Sequence, residues 1–383
     1  MRVSDSSRGG GSATARILLT AMLGTSCAQA TPSLLDASTR ETNLSDIEVV
    51  VNKPQGSIDI RPHRRLGHDG DFNFVTSIAV RRGSTDTLIL VTDLGYRPQV
   101  AVLQAATGKL IRRLPDRHSP GADFVDTRLA GFAGADQQDV WLWDSRTRRI
   151  ARIARFATNP AATAIYQTRY VEQIRQPLWT GSGFVSTGYF LADALLYVDS
   201  TGRPKYRIRG APPHAIAADR RTSRLGILNV ATVATAPGSR RMAVAYNWDS
   251  RLLLFDSAAE LRHIARGPRP IVMDYTVSGG TPVWGDNQEV AYTAVAVSET
   301  YIFALFDGKQ VRAGGGARQV HVYDWSGRHL TELDLGHAVT SIALGASDST
   351  LVGAVHTGTS QLAEWALPMK ILAEAAGRAA RGH

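Results

Sequence analysis

One strand-turn-strand phrase recurs along this sequence and constrains the fold more than any other feature. Its clearest copy is LLYVDSTGRPKYRI, residues 195–208, where an apolar run ends in Asp199 and a turn with Gly202 leads into a second run. An aspartate side chain accepts hydrogen bonds from the turn backbone, and glycine tolerates the positive φ of a tight turn. The phrase therefore predicts a β-hairpin.

Related phrases recur at intervals that are typical of repeat proteins. They are QVAVLQAATGKLIRRL from Gln99, VWLWDSRTRRIARI from Val140, RLLLFDSAAELRHI from Arg251, QVHVYDWSGRHLTEL from Gln319 and the partial copy QLAEWAL at 361–367. The anchor residues lie 40, 55, 57, 68 and 40 residues apart and are Gln104, Asp144, Asp199, Asp256, Asp324 and Glu364. Such spacing indicates an array of supersecondary units.

Two further strand-like runs precede most copies of the phrase. VTSIAV at 75–80 precedes the first copy, and the very similar VTSIALG at 339–345 precedes the last. Six units of four short strands, without a convincing helix between residues 45 and 367, predict an all-β fold. The specific prediction is a six-bladed β-propeller of four-stranded antiparallel blades over residues 46–368, because radial blades leave only short sheet edges exposed.

The repeat assigns a place to each strand. The phrase supplies the third and fourth strands of a blade, and AIYQTRY at 164–170 is a candidate outer strand for the irregular second unit. The last unit lacks a fourth strand, which DIEVVV at 46–51 could supply by closing the ring. The Ala-rich tail, residues 369–383, has a helix-favouring composition but no apolar face long enough to require packing. The inner strands are expected near 75–80, 127–133, 174–181, 231–237, 291–298 and 339–345.

The N-terminus predicts export. Basic residues precede the apolar run ILLTAMLGT, and the small residues Ala28 and Ala30 follow it, which is the pattern of a secretory signal peptide. We expect residues 1–30 to be removed and residues 31–45 to form a linker, in a periplasmic or extracytoplasmic protein. The alternative is a lipoprotein anchored to the membrane at Cys27, the only cysteine of the chain.

The basic residues do not indicate a nucleic-acid partner. Only five of the 43 basic residues are lysines, and the arginines are spread along the chain in pairs such as Arg112-Arg113. A nucleic-acid-binding protein usually concentrates its basic residues on one element or interleaves them with stacking aromatics. A solvated surface is the simpler interpretation.

The chain resembles the TolB-like six-bladed β-propellers, particularly exported bacterial proteins and lipoproteins with NHL-like blades. The best local match covers residues 99–153, with the hairpin VAVLQAATGKLIRRL, the loop SPGADFVD and then DVWLWDSRTRRIARI. Weaker similarity extends over residues 66–367. These motifs specify blades and carry no known chemistry, so the resemblance implies the fold rather than an activity.

Candidate functional residues fall in the loops that lead into the inner strands. These loops meet around the central channel, where imidazoles could bind a metal or transfer protons. The sequence VWGDNQE at 283–289 adds an aromatic side chain beside polar groups, which is typical of a ligand pocket. The candidates for ligand binding are His68, His118, His214, Trp284, Asp286, Asn287 and His337.

Two functions remain open. The first is a monomeric, non-catalytic scaffold that recognises a protein, peptide or glycan through the channel-face loops, without a cofactor or a metal. No H-E-x-x-H, P-loop, EF-hand or G-x-S-x-G motif occurs in the chain, which favours this function. The second is a lyase or hydrolase with a histidine-lined site at the channel mouth, since fold alone does not fix function. Three imidazoles around one metal position would favour the enzyme.

Overall fold

The computed structural model describes ten stretches of the chain, which are residues 38–40, 47–68, 70–82, 86–114, 123–158, 161–167, 174–190, 193–200, 203–209 and 223–381. Strands dominate these stretches, and the one α-helix within them is α1, Met369–Arg381, at the C-terminal end. None of the described helices is long and apolar enough to cross a lipid bilayer.

The strands form antiparallel sheets in which consecutive strands are neighbours. Sheet I contains β5 Val75–Arg82, β6 Thr87–Asp93, β7 Val100–Gln104 and β8 Leu110–Leu114. Sheet II contains β9 Thr127–Ala133, β10 Asp139–Asp144, β11 Arg149–Ala154 and β12 Ala161–Gln167. Sheet III contains β13 Ile174–Trp179, β14 Gly183–Gly188, β15 Asp193–Asp199 and β16 Pro204–Arg209, with β1 Ser38–Arg40 at its edge.

The C-terminal half follows the same pattern. Sheet IV contains β17 Ala231–Thr235, β18 Met242–Tyr246, β19 Arg251–Phe255 and β20 Leu261–Arg266, with β2 Glu48–Val51 at its edge. A separate hairpin consists of β21 Tyr275–Ser278 and β22 Thr281–Trp284. The wide sheet contains β23 Tyr292–Val297, β24 Tyr301–Phe306, β25 Ala317–Asp324, β26 His329–Leu344, β27 Thr350–His356, β28 Ser360–Ala366 and β4 Pro62–Leu66, with β3 Ser57–Asp59 beside β26.

The sheets are arranged around a common axis. The inner strands β5, β9, β13, β17 and β23 each contact the next, and β23 contacts β26, which in turn contacts β5. The apolar clusters lie between consecutive sheets; one of them, for example, joins Leu90 of sheet I to Leu142 of sheet II. The second strand of a sheet is sandwiched between two neighbours, which is why runs such as LILV at 88–91 are apolar on both faces. The fold is therefore a β-propeller.

The expected inner strands are confirmed at all positions, but one copy of the hairpin phrase does not lie where the repeat places it. The hairpins at Asp199, Asp256 and Asp324 join third to fourth strands, as expected. In sheet II, β10 pairs with the inner strand β9 and β11 pairs with the outer strand β12. The phrase at 140–153 thus forms the second and third strands, and its turn lies at the opposite face of the propeller.

The N-terminal segment runs along the outer edges of successive sheets. Strands β1, β2 and β3 pair in parallel with β16, β20 and β26, so they cover edges that would otherwise be open to pairing. Strand β1 lies within the segment 31–45 that the sequence suggested as a linker.

Strand β4 closes the ring. It pairs antiparallel with β28, and Arg64 Nε donates to Glu364 Oε2 at 2.9 Å while Arg64 Nη2 donates to Ala105 O of sheet I at 2.7 Å. The expectation that residues 46–51 supply this strand is therefore wrong, because β2 within that stretch pairs with sheet IV instead.

The C-terminal tail also differs from the expectation, because it packs as a helix against the wide sheet. Leu372 is fully buried in the cluster that contains Leu333 and Trp365. The Arg328 Nη1 atom donates to Ala379 O at 2.6 Å. Leu372 and the small alanines on one face of α1 are enough to hold the helix against the wide sheet, although this apolar face is short.

Candidate functional site

A cavity of about 1200 Å³ occupies the centre of the propeller. Every inner strand contributes to its wall, because alternate side chains of a strand point to opposite faces. The inner strands all begin at one face of the propeller, which we call the leading face. Loops from the outer strand of one sheet to the inner strand of the next, and from second to third strands, lie on this face.

The second residue of each inner strand lines the cavity near the leading face. In the long strand β26, the inner part is counted from Val339, where its pairing with β27 begins. Four of these positions carry threonine and two carry arginine, namely Thr76, Arg128, Arg175, Thr232, Thr293 and Thr340. The residue before each of them is buried in the protein, so the second residue turns towards the channel. The two arginines belong to the neighbouring strands β9 and β13.

The cavity wall is strongly basic, and four of its arginines belong to sheets II and III. Among the described residues, the cavity is lined by a single carboxylate, Asp126, and by six arginines, which are Arg82, Arg128, Arg148, Arg152, Arg175 and Arg240. Arg82 pairs with Asp348, and Arg152 Nε donates to Asp139 Oδ2 at 2.9 Å. Sequence reasoning missed this wall, although the alternation of each inner strand would have pointed to Arg128 and Arg175.

Strands β9 and β13 approach closely at this wall. Gly131 has a φ of 114°, and a Cβ at this position would lie 3.1 Å from the Trp179 side chain, so glycine permits the contact. Trp141, Trp179 and Phe184 form an aromatic cluster with ring centroids 5.0–5.1 Å apart. The two arginine-bearing strands are thus held together by a rigid core.

The histidines do not form a site within the described part of the chain. His68 is exposed on a leading-face loop, and His337 is exposed within the long strand β26. The backbone N–H of His68 donates to Asp71 Oδ2 at 2.6 Å. No group of three His, Cys, Asp or Glu side chains in the described ranges could hold a metal ion. His118 and His214 lie outside the described residues, as does Cys27.

Trp284 belongs to an aromatic cluster on the leading face. Its ring centroid lies 4.4 Å from that of Trp248 and 6.2 Å from that of Tyr275. Trp248 follows β18, and its Nε1 donates to Ile227 O at 2.8 Å. Sequence reasoning identified Trp284 but missed Trp248, which lies in the loop between second and third strands of the preceding sheet.

The polar neighbours of Trp284 face solvent. Asp286 forms an ion pair with Arg312 at 2.6 Å, and the Asp286 and Arg312 side chains are 77% and 73% exposed. Such an exposed pair contributes little to stability. The backbone N–H of Asn287 donates to Asp274 Oδ2 at 3.3 Å.

The β21–β22 hairpin exposes apolar side chains beside this cluster. Val277 is 53% exposed and Val283 is 50% exposed, and the nearby Val272 is 81% exposed. The two strands pair with each other, and neither pairs with a third strand in the described ranges. Strand β22 also contacts the 3-10 helix Ser223–Asn229, which precedes sheet IV.

A second group of titratable side chains is buried inside the wide sheet. Tyr292 and Tyr323 share a hydrogen bond between hydroxyls at 2.7 Å, and His321 Nδ1 lies 3.3 Å from the Tyr292 hydroxyl. Burial lowers the pKa of His321 to about 3 and that of His329 to about 4. Burial also raises the pKa of Tyr292. These groups are neutral in the folded protein near pH 7.

Comparisons with known proteins assign the chain to no family. No family model matches the sequence, and the comparison with curated proteins finds no match. Among solved structures, the chain is similar to the β-propeller domain of Cps50 (Swd1) from Myceliophteria thermophila, with 10% sequence identity and a TM-score of 0.43. That similarity covers 80% of this chain and 99% of the other.

Proposed function

We propose that this chain is an exported six-bladed propeller of the TolB-like type that binds another protein through its leading face. The β21–β22 hairpin carries the proposal, because it exposes Val277 and Val283 next to the Trp248–Trp284 cluster. Exposed apolar side chains that lie together, with aromatic side chains beside them, are typical of surfaces that bind another protein.

The proposed number of blades is supported by the pairing of β26. Residues 329–334 of this strand pair with β25 and residues 342–344 pair with β27, whereas Val339 pairs with both neighbours. The wide sheet can therefore be divided into two four-stranded units, which join sheets I to IV around the channel. The local match of residues 99–153 to TolB-like blades supports the same arrangement.

A protein partner fits this surface better than a glycan does. Proteins bind sugars through the open faces of aromatic rings, but here the rings of Trp248 and Trp284 stack on each other with an interplanar angle of 37°. The most exposed apolar groups are instead the aliphatic Val272, Val277 and Val283. Aliphatic side chains bury well against another protein.

Site-specific cross-linking tests the partner surface. A photo-activated amino acid at Val277 is expected to yield a discrete cross-linked protein in cells, identified by mass spectrometry. The matched control is the same amino acid at Val51, which is 72% exposed on β2, the strand at the outer edge of sheet IV. With the purified partner, V277D together with V283D should weaken binding about tenfold or more, and V51D should leave it unchanged.

Two outcomes contradict the proposal. Equal labelling at Val277 and Val51 would mean that the hairpin is not a specific surface. Unchanged affinity of the V277D/V283D protein, with an unchanged unfolding temperature, would place the partner elsewhere on the molecule.

Export is tested separately by the mature N-terminus. The proposal expects the protein in the periplasmic fraction with Thr31 as its first residue, because Ala28 and Ala30 form the cleavage pattern. An acylated Cys27 would show the lipoprotein alternative. An intact N-terminus in the cytoplasmic fraction would contradict export.

A further inference from the structure

We propose that the leading end of the channel binds a small oxyanion, a molecule with a phosphate group or closely spaced carboxylates, between Arg128 and Arg175. This site is separate from the proposed partner surface, because the β21–β22 hairpin lies outside the channel wall.

The first observation is position. Arg128 and Arg175 are both the second residue of an inner strand, and β9 and β13 are in contact. Both side chains line the 1200 Å³ cavity. Two guanidinium groups on adjacent strands can grip one anion from two sides, since each offers several N–H donors in a planar fork.

The second observation is that charge at this place is poorly compensated. The Arg128 Nη2 atom lies 3.6 Å from Asp126 Oδ1, which is long for an ion pair, and Asp126 also accepts a hydrogen bond from the Ser145 hydroxyl. Within the described ranges, no carboxylate pairs with Arg175. Within the described ranges, Asp126 is therefore the one carboxylate close to these two arginines, and it also accepts a hydrogen bond from Ser145.

The environment of Arg175 penalises its charge. Protein atoms surround the guanidinium on several sides, and it is exposed towards the cavity that it lines. Burial lowers the pKa of Arg175, and the positive charge of Arg128 lowers it further. Two like charges held together at a cavity wall are stabilised by an anion that lies between them.

The third observation is the shape and chemistry of the remaining wall. Thr232, Thr293 and Thr340 occupy the equivalent positions across the channel and carry no charge. Tyr189, which also lines the cavity, adds a phenol beside Arg175. The cavity of about 1200 Å³ is larger than most small-ligand sites, so a small organic ligand fits within it. A small ligand with an anionic group and an uncharged remainder could contact the arginines with the first and the threonines with the second.

Calorimetric titration of the full mature protein tests the site with three probes, which are inorganic pyrophosphate, citrate and uncharged glycerol. We expect saturable binding of pyrophosphate or citrate that weakens as salt is added, and no binding of glycerol. Preference for pyrophosphate would indicate a phosphate ligand, and preference for citrate a carboxylate ligand.

Variants locate the site. R175Q should weaken binding of the preferred anion about tenfold or more, and R175K should have a smaller effect because it keeps the charge but loses the planar fork. The matched control is R240Q, since Arg240 lines the same cavity beyond the far end of inner strand β17 and should change affinity less than about twofold.

A second readout does not depend on ligand. Without an anion, R175Q should unfold at a temperature equal to or above that of the wild type, because the substitution relieves repulsion from Arg128. The proposal is overturned if none of the anions binds saturably, if R175Q binds like the wild type, or if R240Q loses as much affinity as R175Q. A lower unfolding temperature of R175Q would also count against it, because Arg175 would then be a stabilising residue.

Discussion

Sheet II and the first half of the wide sheet contain the same short phrase but use it differently. Trp143-Asp144 and Tyr323-Asp324 both end a strand, and both aspartates accept hydrogen bonds from the turn that follows. Asp324 stops there. Asp144 is completely buried and also accepts from the backbone N–H groups of Val125 and Asp126, just before the inner strand.

Asp144 has a structural counterpart that the repeated phrase does not reveal. Asp93 ends the second strand of sheet I and accepts from the N–H groups of Asn73 and Phe74, which likewise precede an inner strand. A buried aspartate at the end of a second strand thus fixes the loop that leads to the channel. The turn chemistry of aspartate is local, but its further role depends on which strands surround it.

The two regions also bury different polar groups. Sheet II contains the ion pair of Asp139 and Arg152, and the wide sheet contains the neutral network of Tyr292, His321 and Tyr323. An ion pair and a network of neutral side chains respond differently to pH and to substitution. Three predictions use this difference.

The largest effect is expected from acid on the wide sheet. His321 and His329 have pKa values lowered to about 3 and about 4, whereas histidines of the unfolded chain titrate near 6.5. The unfolded state therefore binds protons first, and the free energy of unfolding falls as the pH decreases below about 6.5. The loss is at most about 1.4 kcal/mol per pH unit for each histidine, or at most about 6 kcal/mol in all by pH 4.

Hydrogen exchange localises this effect. Amides of β25 and the first half of β26 should exchange faster at about pH 5 than at about pH 7 after correction for intrinsic rates, whereas β10 and β11 should change less. The carboxyl of Glu332, whose pKa is raised by burial, offsets part of the loss. An H329N protein should show a shallower decrease. Equal acceleration in both regions would mean that the buried histidines are not the cause.

The next effect concerns the two aspartates. D144A should lower the free energy of unfolding by about 2–4 kcal/mol, because four backbone N–H donors lose their fully buried acceptor. D324A should cost about 1 kcal/mol, because its turn is half-exposed and water replaces the carboxylate. Urea unfolding of both proteins measures the difference. Equal losses would show that the hydrogen bonds to Val125 and Asp126 add nothing to the turn.

The smallest effect compares two ion pairs. R152Q should lower the free energy of unfolding by about 1–2 kcal/mol, because it leaves the buried Asp139 with fewer donors. Arg318 pairs with Asp334 at 2.7 Å but is 54% exposed, so R318Q should produce no measurable change. Thermal unfolding monitored by circular dichroism compares the two. A larger loss for R318Q would reverse the assignment of which pair is structural.

The positions of the cavity-lining arginines could have been found from the sequence, but the carboxylates that lie near them could not. The repeat located the inner strands, and hence Arg128 and Arg175 at their second positions. It did not show which carboxylates lie near them, because tertiary contacts place Asp126 beside Arg128 and pair Asp139 with Arg152. Trp248 was missed for a similar reason: its partner Trp284 lies in a different loop of the chain.

The sequence by itself determined the strands, their turns and the propeller, because period-two alternation and turn residues act over a few neighbouring residues. Tertiary structure decided which strand closes the ring. The apolar 46–51 segment looks like a strand and pairs with sheet IV, whereas the polar β4, PHRRL, becomes one only against β28, where Arg64 meets Glu364. Edge pairing depends on partners some 300 residues away in sequence, and no local pattern encodes that choice.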